Sequence, residues 1–293
     1  MYKGRNSSPL LPPDFNDEDG KNPNHPNLSD NPVQNPHENN PDEENNPSEK
    51  PFENEIAPLD VSCNNPKYSS WRAAKNSMSK YASGNGGQNG MKNAVSSYVK
   101  SYGGARNAAK LAKSARRTTI KIGDFFGGVS KKGIEQVLND YNIQIEGRKP
   151  KDILNDIVNI LAPTPDVNDN SVARKALINT MSIIYEKFED ENKDISLLDS
   201  LHSDIVKILI SKYIETFIYE RLLHDVGSRI EMKSENSNAA SKIEKEIKEY
   251  IESKVSVTLK EEPLSSINSQ TKNVEAYVEK LYKQCYKVLE GRL

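Results

Sequence analysis

The stretch SDIVKILISKYIETFIYERLLHDVGSRI, residues 203–230, decides the fold. Its most apolar part, Ile205 to Ile218, is interrupted by Lys207, Ser211, Lys212 and Glu215. A bilayer span needs about 20 apolar residues, so the segment reads as a buried helix instead. The helix runs from Ser203 to Val226, with Gly227 as its expected C-cap. Working outward, the same helical spacing recurs on both sides. Upstream, Ile153, Leu154, Ile157, Ile160 and Leu161 follow Pro150. Ser171 reads as the N-cap of a helix carrying Ala173, Leu177, Met181, Ile184, Tyr185 and Phe188. Downstream come Ile243, Ile247, Tyr250, Ile251 and Val255, then Val274, Tyr277, Val278, Leu281, Cys285, Val288 and Leu289. No segment alternates with period two. The expected fold is an all-α, multi-helix body of about seven to nine helices, with residues 141–293 as a helical core domain.

Residues 67–140 form a basic region rich in glycine and alanine. Ten of the 15 glycines lie between Gly84 and Gly133. Helices are expected over Tyr68–Tyr81 and Met91–Tyr102, the second ended by Gly103-Gly104. Ala105 to Arg117 reads as one helix with two faces. Ala105, Ala108, Ala112 and Ala115 line one side; Arg106, Lys110, Lys113 and Arg117, at i, i+4, i+7 and i+11, line the other. From Ile120 to Leu138, four glycines weaken a simple helix at about 1 kcal/mol each, or allow a kink or a close backbone approach.

The first 66 residues are different. They hold 12 of the 16 prolines, and Asn-Pro occurs six times. Proline donates no hydrogen bond and pushes its predecessor out of the helical region. With few apolar residues to offset the entropy of ordering, 16–66 is expected to be a disordered, extended acidic linker. Ahead of it, Ser8, Pro9, Leu10, Leu11, Pro12, Pro13 and Phe15 set apolar anchors among prolines. Such a segment, 1–15, suits docking into a groove, or is ordinary tail sequence.

The net charge of −2 hides three blocks: −9 over residues 1–66, +13 over 67–132, where Asp124 is the single acid, and −6 over 133–293. That asymmetry points to partner binding or to contact between segments. Cys63 and Cys285 make no pair or metal spacing, as expected in a reducing compartment. The first 30 residues lack the apolar run of a signal peptide, so the cytoplasm is the expected location and no membrane partner is expected.

The search for chemistry returns little. No glycine-rich loop follows an expected strand, and His25, His37, His202 and His224 have no local metal spacing. No cofactor is expected. Arg221, His224, Asp225 and Ser228 cluster near a helix end, either as a catalytic group or as a capped terminus with Arg221 paired to Asp225. The second reading is preferred, and with it a protein that is not an enzyme. The basic segment carries the stronger signal. Arg106, Lys110, Lys113, Arg116 and Arg117 could hold phosphates, with Trp71, Tyr81, Tyr98, Tyr102, Phe125 and Phe126 stacking bases. Alternatively, the face is solvated and the aromatics are core.

Taken in order, several pieces resemble one family. They are the Ser8-to-Pro13 start, the acidic linker, Trp71-Arg72-Ala73-Ala74-Lys75 to Tyr81, Ala94 to Val99, Tyr102-Gly103-Gly104-Ala105-Arg106, Glu220-Arg221-Leu222, and Val278 to Tyr282. The chain resembles the QatB family of the bacterial Qat anti-phage system. The resemblance implies an ATPase, a QueC-like (QatC-type) enzyme and a TatD-like nuclease as partners. It further suggests that the QueC-like enzyme holds the tail and modifies its N-terminus. Members of the family begin Met-Gly, whereas this chain begins Met1-Tyr2-Lys3-Gly4. Tyr2 should block ordinary Met removal, so modification at Gly4 would need further processing or another start.

Overall fold

A computed structural model describes residues 66–191, 194–200 and 203–291. Residues 1–65, and with them the docking segment, Gly4 and nearly all of the linker, lie outside the described residues, as does His202. Among the described residues there are ten α-helices, two 3-10 segments and no strand. The helices are α1 (Pro66–Ala82), α2 (Gly90–Ser101), α3 (Ala105–Leu111), α4 (Lys113–Lys132), α5 (Ile134–Asp140), α6 (Pro150–Leu161), α7 (Asn168–Glu191), α8 (Ser203–Lys233), α9 (Ser237–Leu259) and α10 (Val274–Glu290).

The apolar helix read first from the sequence is the axis of the body. α8 packs against α1, α4, α7 and α9. Tyr213, Ile214, Phe217, Ile218 and Leu222 are fully enclosed, each such side chain contributing about 1.5–3 kcal/mol by leaving water. α10 closes the other side against α2, α3, α4 and α9 through Val278, Leu281, Tyr282, Cys285, Tyr286 and Leu289. One hydrophobic core runs from Met78 to Leu289, so the basic helices α1–α5 and the helices α6–α10 share it.

Several boundaries differ from expectation. α8 runs through Gly227 to Lys233, so Gly227 is a helix-interior residue and not a C-cap. α7 begins at Asn168, leaving Ser171 inside the helix rather than capping it. α4 continues through Gly123, Gly127 and Gly128 and stops only at Gly133, whose φ is 82°. The helix expected from Ala105 to Arg117 is two helices, broken at Ala112 (φ −79°, ψ 46°). That break makes the count ten. The alanine face survives it: Ala105, Ala108, Ala112 and Ala115 are all buried.

A polar junction at α3 and the basic stripe

Why the chain breaks at Ala112 follows from an account of backbone hydrogen bonds. Helix ends leave carbonyls and amides without partners, and each must be satisfied elsewhere. The Ala112 N–H donates to the Ala109 carbonyl, so the Ala108 carbonyl loses the amide that a continuous helix would offer it. Arg221 of α8 replaces that donor, its Nη1 lying 3.1 Å from the Ala108 oxygen. Arg116 does the same for the Lys110 carbonyl at 3.3 Å. Across the break, the Ser114 amide donates to Asp169 of α7 at 3.0 Å, which caps the start of α4. At its other end, α3 donates the Ala105 amide to the Glu290 carboxylate at 3.3 Å. This seven-residue helix thus has a carboxylate at its N-terminus and guanidinium groups at its C-terminus, the signs its dipole favours.

Arg221 is buried and held by rings. It stacks 4.4 Å from the centroid of Tyr102 and lies near Phe217, and it donates toward the Tyr286 hydroxyl. Asp225, one turn on, does not serve Arg221 as the expected helix-end pair. It accepts from the hydroxyls of Tyr98 at 2.9 Å and Tyr102 at 2.5 Å. Burial pushes both phenols well above their ordinary pKa, which keeps them protonated as donors. Trp71 completes an edge-to-face cluster with these two rings. His224 is exposed and contacts its neighbour Asp225 at 3.1 Å. The Ser228 hydroxyl makes no hydrogen bond to it among the described residues.

The sequence could not show this junction, because Arg221 meets Ala108 across 113 positions and Ala105 meets Glu290 across 185. No local spacing carries such a signal. Cys285 is likewise enclosed, and burial pushes its thiol above the usual range, away from the reactive thiolate. Among the described residues, no group of three His, Cys, Asp or Glu side chains could hold a metal ion.

The stripe residues are placed as follows. Arg106, Lys110, Lys113 and Arg117 are exposed, and no described carboxylate pairs with them. Arg116 is turned away from them into an ion pair with Glu279 of α10. The aromatic residues do not join the stripe: Tyr98, Phe125 and Phe126 are core, while Trp71, Tyr81 and Tyr102 are half-buried against it. The core reading of these rings therefore replaces base stacking for Tyr98, Phe125 and Phe126.

One buried carboxylate was missed. Glu215 of α8 is 6% exposed and accepts from Ser211 Oγ at 3.0 Å. Burial pushes its carboxyl up to about 7, against Lys212 and Ser211, with Glu252 adding to the rise. The folded protein therefore holds this proton more tightly than the unfolded chain, so stability falls as pH rises from about 4.5 through about 7. Glu215→Gln should remove that loss. Its Tm relative to the unsubstituted protein should rise between about pH 5 and pH 8; a constant gap across that range would refute the assignment.

Fold and junction define a single-core, all-α body whose polar interior is spent on fastening helices, with no helix among the described residues long and apolar enough to cross a membrane. The chain belongs to the QatB family: the family model described as Qat anti-phage system associated protein QatB matches residues 103–289, more than half of its length. No curated protein and no solved structure matches the chain.

Proposed function

We propose that this chain is a non-catalytic subunit of a Qat anti-phage complex, docked through Ser8 to Phe15 to a QueC-like partner that acts on its N-terminus. Membership of the QatB family carries the reading, since it makes the chain a component of a multi-part defence system. The ATPase and the TatD-like nuclease are its further partners, and the cytoplasm is its compartment. The junction supports a non-catalytic role: of the Arg221, His224 and Asp225 cluster, Arg221 holds the end of α3 and Asp225 the tyrosines of α2 and its C-cap, while His224 is exposed. The acidic, proline-rich stretch 16–66 would let a short peptide reach an active site while the body stays bound elsewhere. A second reading, nucleic acid held by the exposed stripe Arg106, Lys110, Lys113 and Arg117, is favoured by the lack of described partners for these cations.

Affinity capture from cells carrying the whole system tests the first reading. The full chain should recover the QueC-like enzyme, and a chain lacking residues 1–15 should not. Intact mass of the recovered chain should show an addition at the N-terminus. Capture that survives the deletion, with an unmodified Met1, would refute both the docking site and the modification.

A further inference from the structure

We infer that the nucleic-acid face extends beyond the stripe: a basic surface across the packed helices α3 and α10, with Arg106, Lys110 and Lys113 on one side and Lys283 and Lys287 on the other, binds the phosphodiester backbone of single-stranded nucleic acid. The inference rests on the second reading above and names its binding surface and mode.

The register comes from two contacts. Ala105 meets Glu290, and Arg116 meets Glu279, so α3 and the start of α4 run antiparallel to α10, residues 105–116 against 279–290. Lys283 and Lys287 fall inside that interval, opposite Ala112 and Ala108, so in register Lys283 lies between Lys110 and Lys113 and Lys287 between Arg106 and Lys110. Both are exposed and neither has a described partner. The carboxylates Glu279 and Glu290 at the two ends of this surface are already engaged, Glu279 by Arg116 and Glu290 by the Ala105 amide. Glu275, beside Lys113 and Arg117 at a small pocket, marks where the basic surface ends.

Charge without exposed rings selects the mode. Backbone phosphates are met by Lys and Arg, whereas base recognition needs stacking platforms or groove-reading side chains. The aromatic residues of this region are buried or half-buried, so binding is sequence-independent and driven by counterion release. Side chains at i, i+4 step about 6 Å along a helix, which suits a row of phosphates.

The test uses the full chain and a mixed-sequence, fluorescein-labelled single-stranded oligonucleotide, read by anisotropy between about 50 and 200 mM salt. Each lost phosphate contact lowers the slope of log K against log salt by about 0.7. Lys283→Gln with Lys287→Gln should therefore lower it by about 1.4, and Lys283→Arg with Lys287→Arg should restore it. Lys245→Gln with Lys248→Gln, on α9, makes the same charge change away from this surface and should leave the slope unaltered. Dependence on Arg106 and Lys110 alone would overturn the extension to α10 and leave the stripe reading intact. Absence of binding at low salt, or binding only to phosphatidylserine vesicles, would overturn both.

Discussion

Arg221→Ala should lower the stability of the folded body by about 3 kcal/mol, and Arg221→Lys should recover little of it. Removing the guanidinium leaves the Ala108 carbonyl without a donor at the end of α3 and strips the cation from the face of Tyr102. Deleting one member of a buried charged network typically costs about 3–5 kcal/mol, because the groups left behind stay desolvated and unpaired. Lysine keeps the charge but lacks the planar group that stacks on a ring while donating sideways. Thermal unfolding followed by circular dichroism should show Tm falling by about 6–12 °C for the alanine variant. A fall under about 2 °C would mean that α3 is held by its alanine packing alone.

The second large effect is expected from one glycine and not from its neighbour. A Cβ added at Gly123 would lie 1.9 Å from the Ile267 carbonyl oxygen, a backbone atom that cannot swing aside. Gly123→Ala must push the Leu264–Ile267 turn off α4, and forcing extra atoms into a packed contact costs about 1–3 kcal/mol or more. At Gly127 nothing lies within 4 Å of the added Cβ. There alanine relieves the entropy that glycine costs a helix interior, so Gly127→Ala should stabilise by about 0.5–1 kcal/mol. Denaturant midpoints of the two variants should move in opposite directions. Two destabilised proteins would mean that Gly127 is also covered.

These two glycines also show what the sequence could and could not disclose. The glycine run weakened the helix reading from Ile120 onward, yet α4 passes straight through it, because packing against α7, α8 and α10 outweighs about 1 kcal/mol per glycine. The close approach allowed for at these glycines is found at Gly123. Apolar spacing located α1, α2, α6, α9 and α10, since one buried face repeating every three to four residues is a local signal. The ends of α7 and α8 were misplaced because Ser171 and Gly227 look like caps, while the stop at Ala112 has no glycine or proline to mark it. That stop is set by Arg116 in the next turn and by Asp169 and Arg221, brought in from two distant places in the chain. Of the candidate site, the outward direction of Arg106, Lys110, Lys113 and Arg117 was legible from spacing; the inward turn of Arg116 to Glu279 was not.

A phage plating assay in cells carrying all components of the system tests the central claim. His224→Ala should leave protection intact, because the exposed imidazole contacts its neighbour Asp225 and fastens no other helix among the described residues, whereas removal of residues 1–15 should abolish protection with the helical body still folded. Protection lost with His224→Ala but retained without residues 1–15 would contradict the account, turning the Arg221 region into an active site and the tail into a spectator.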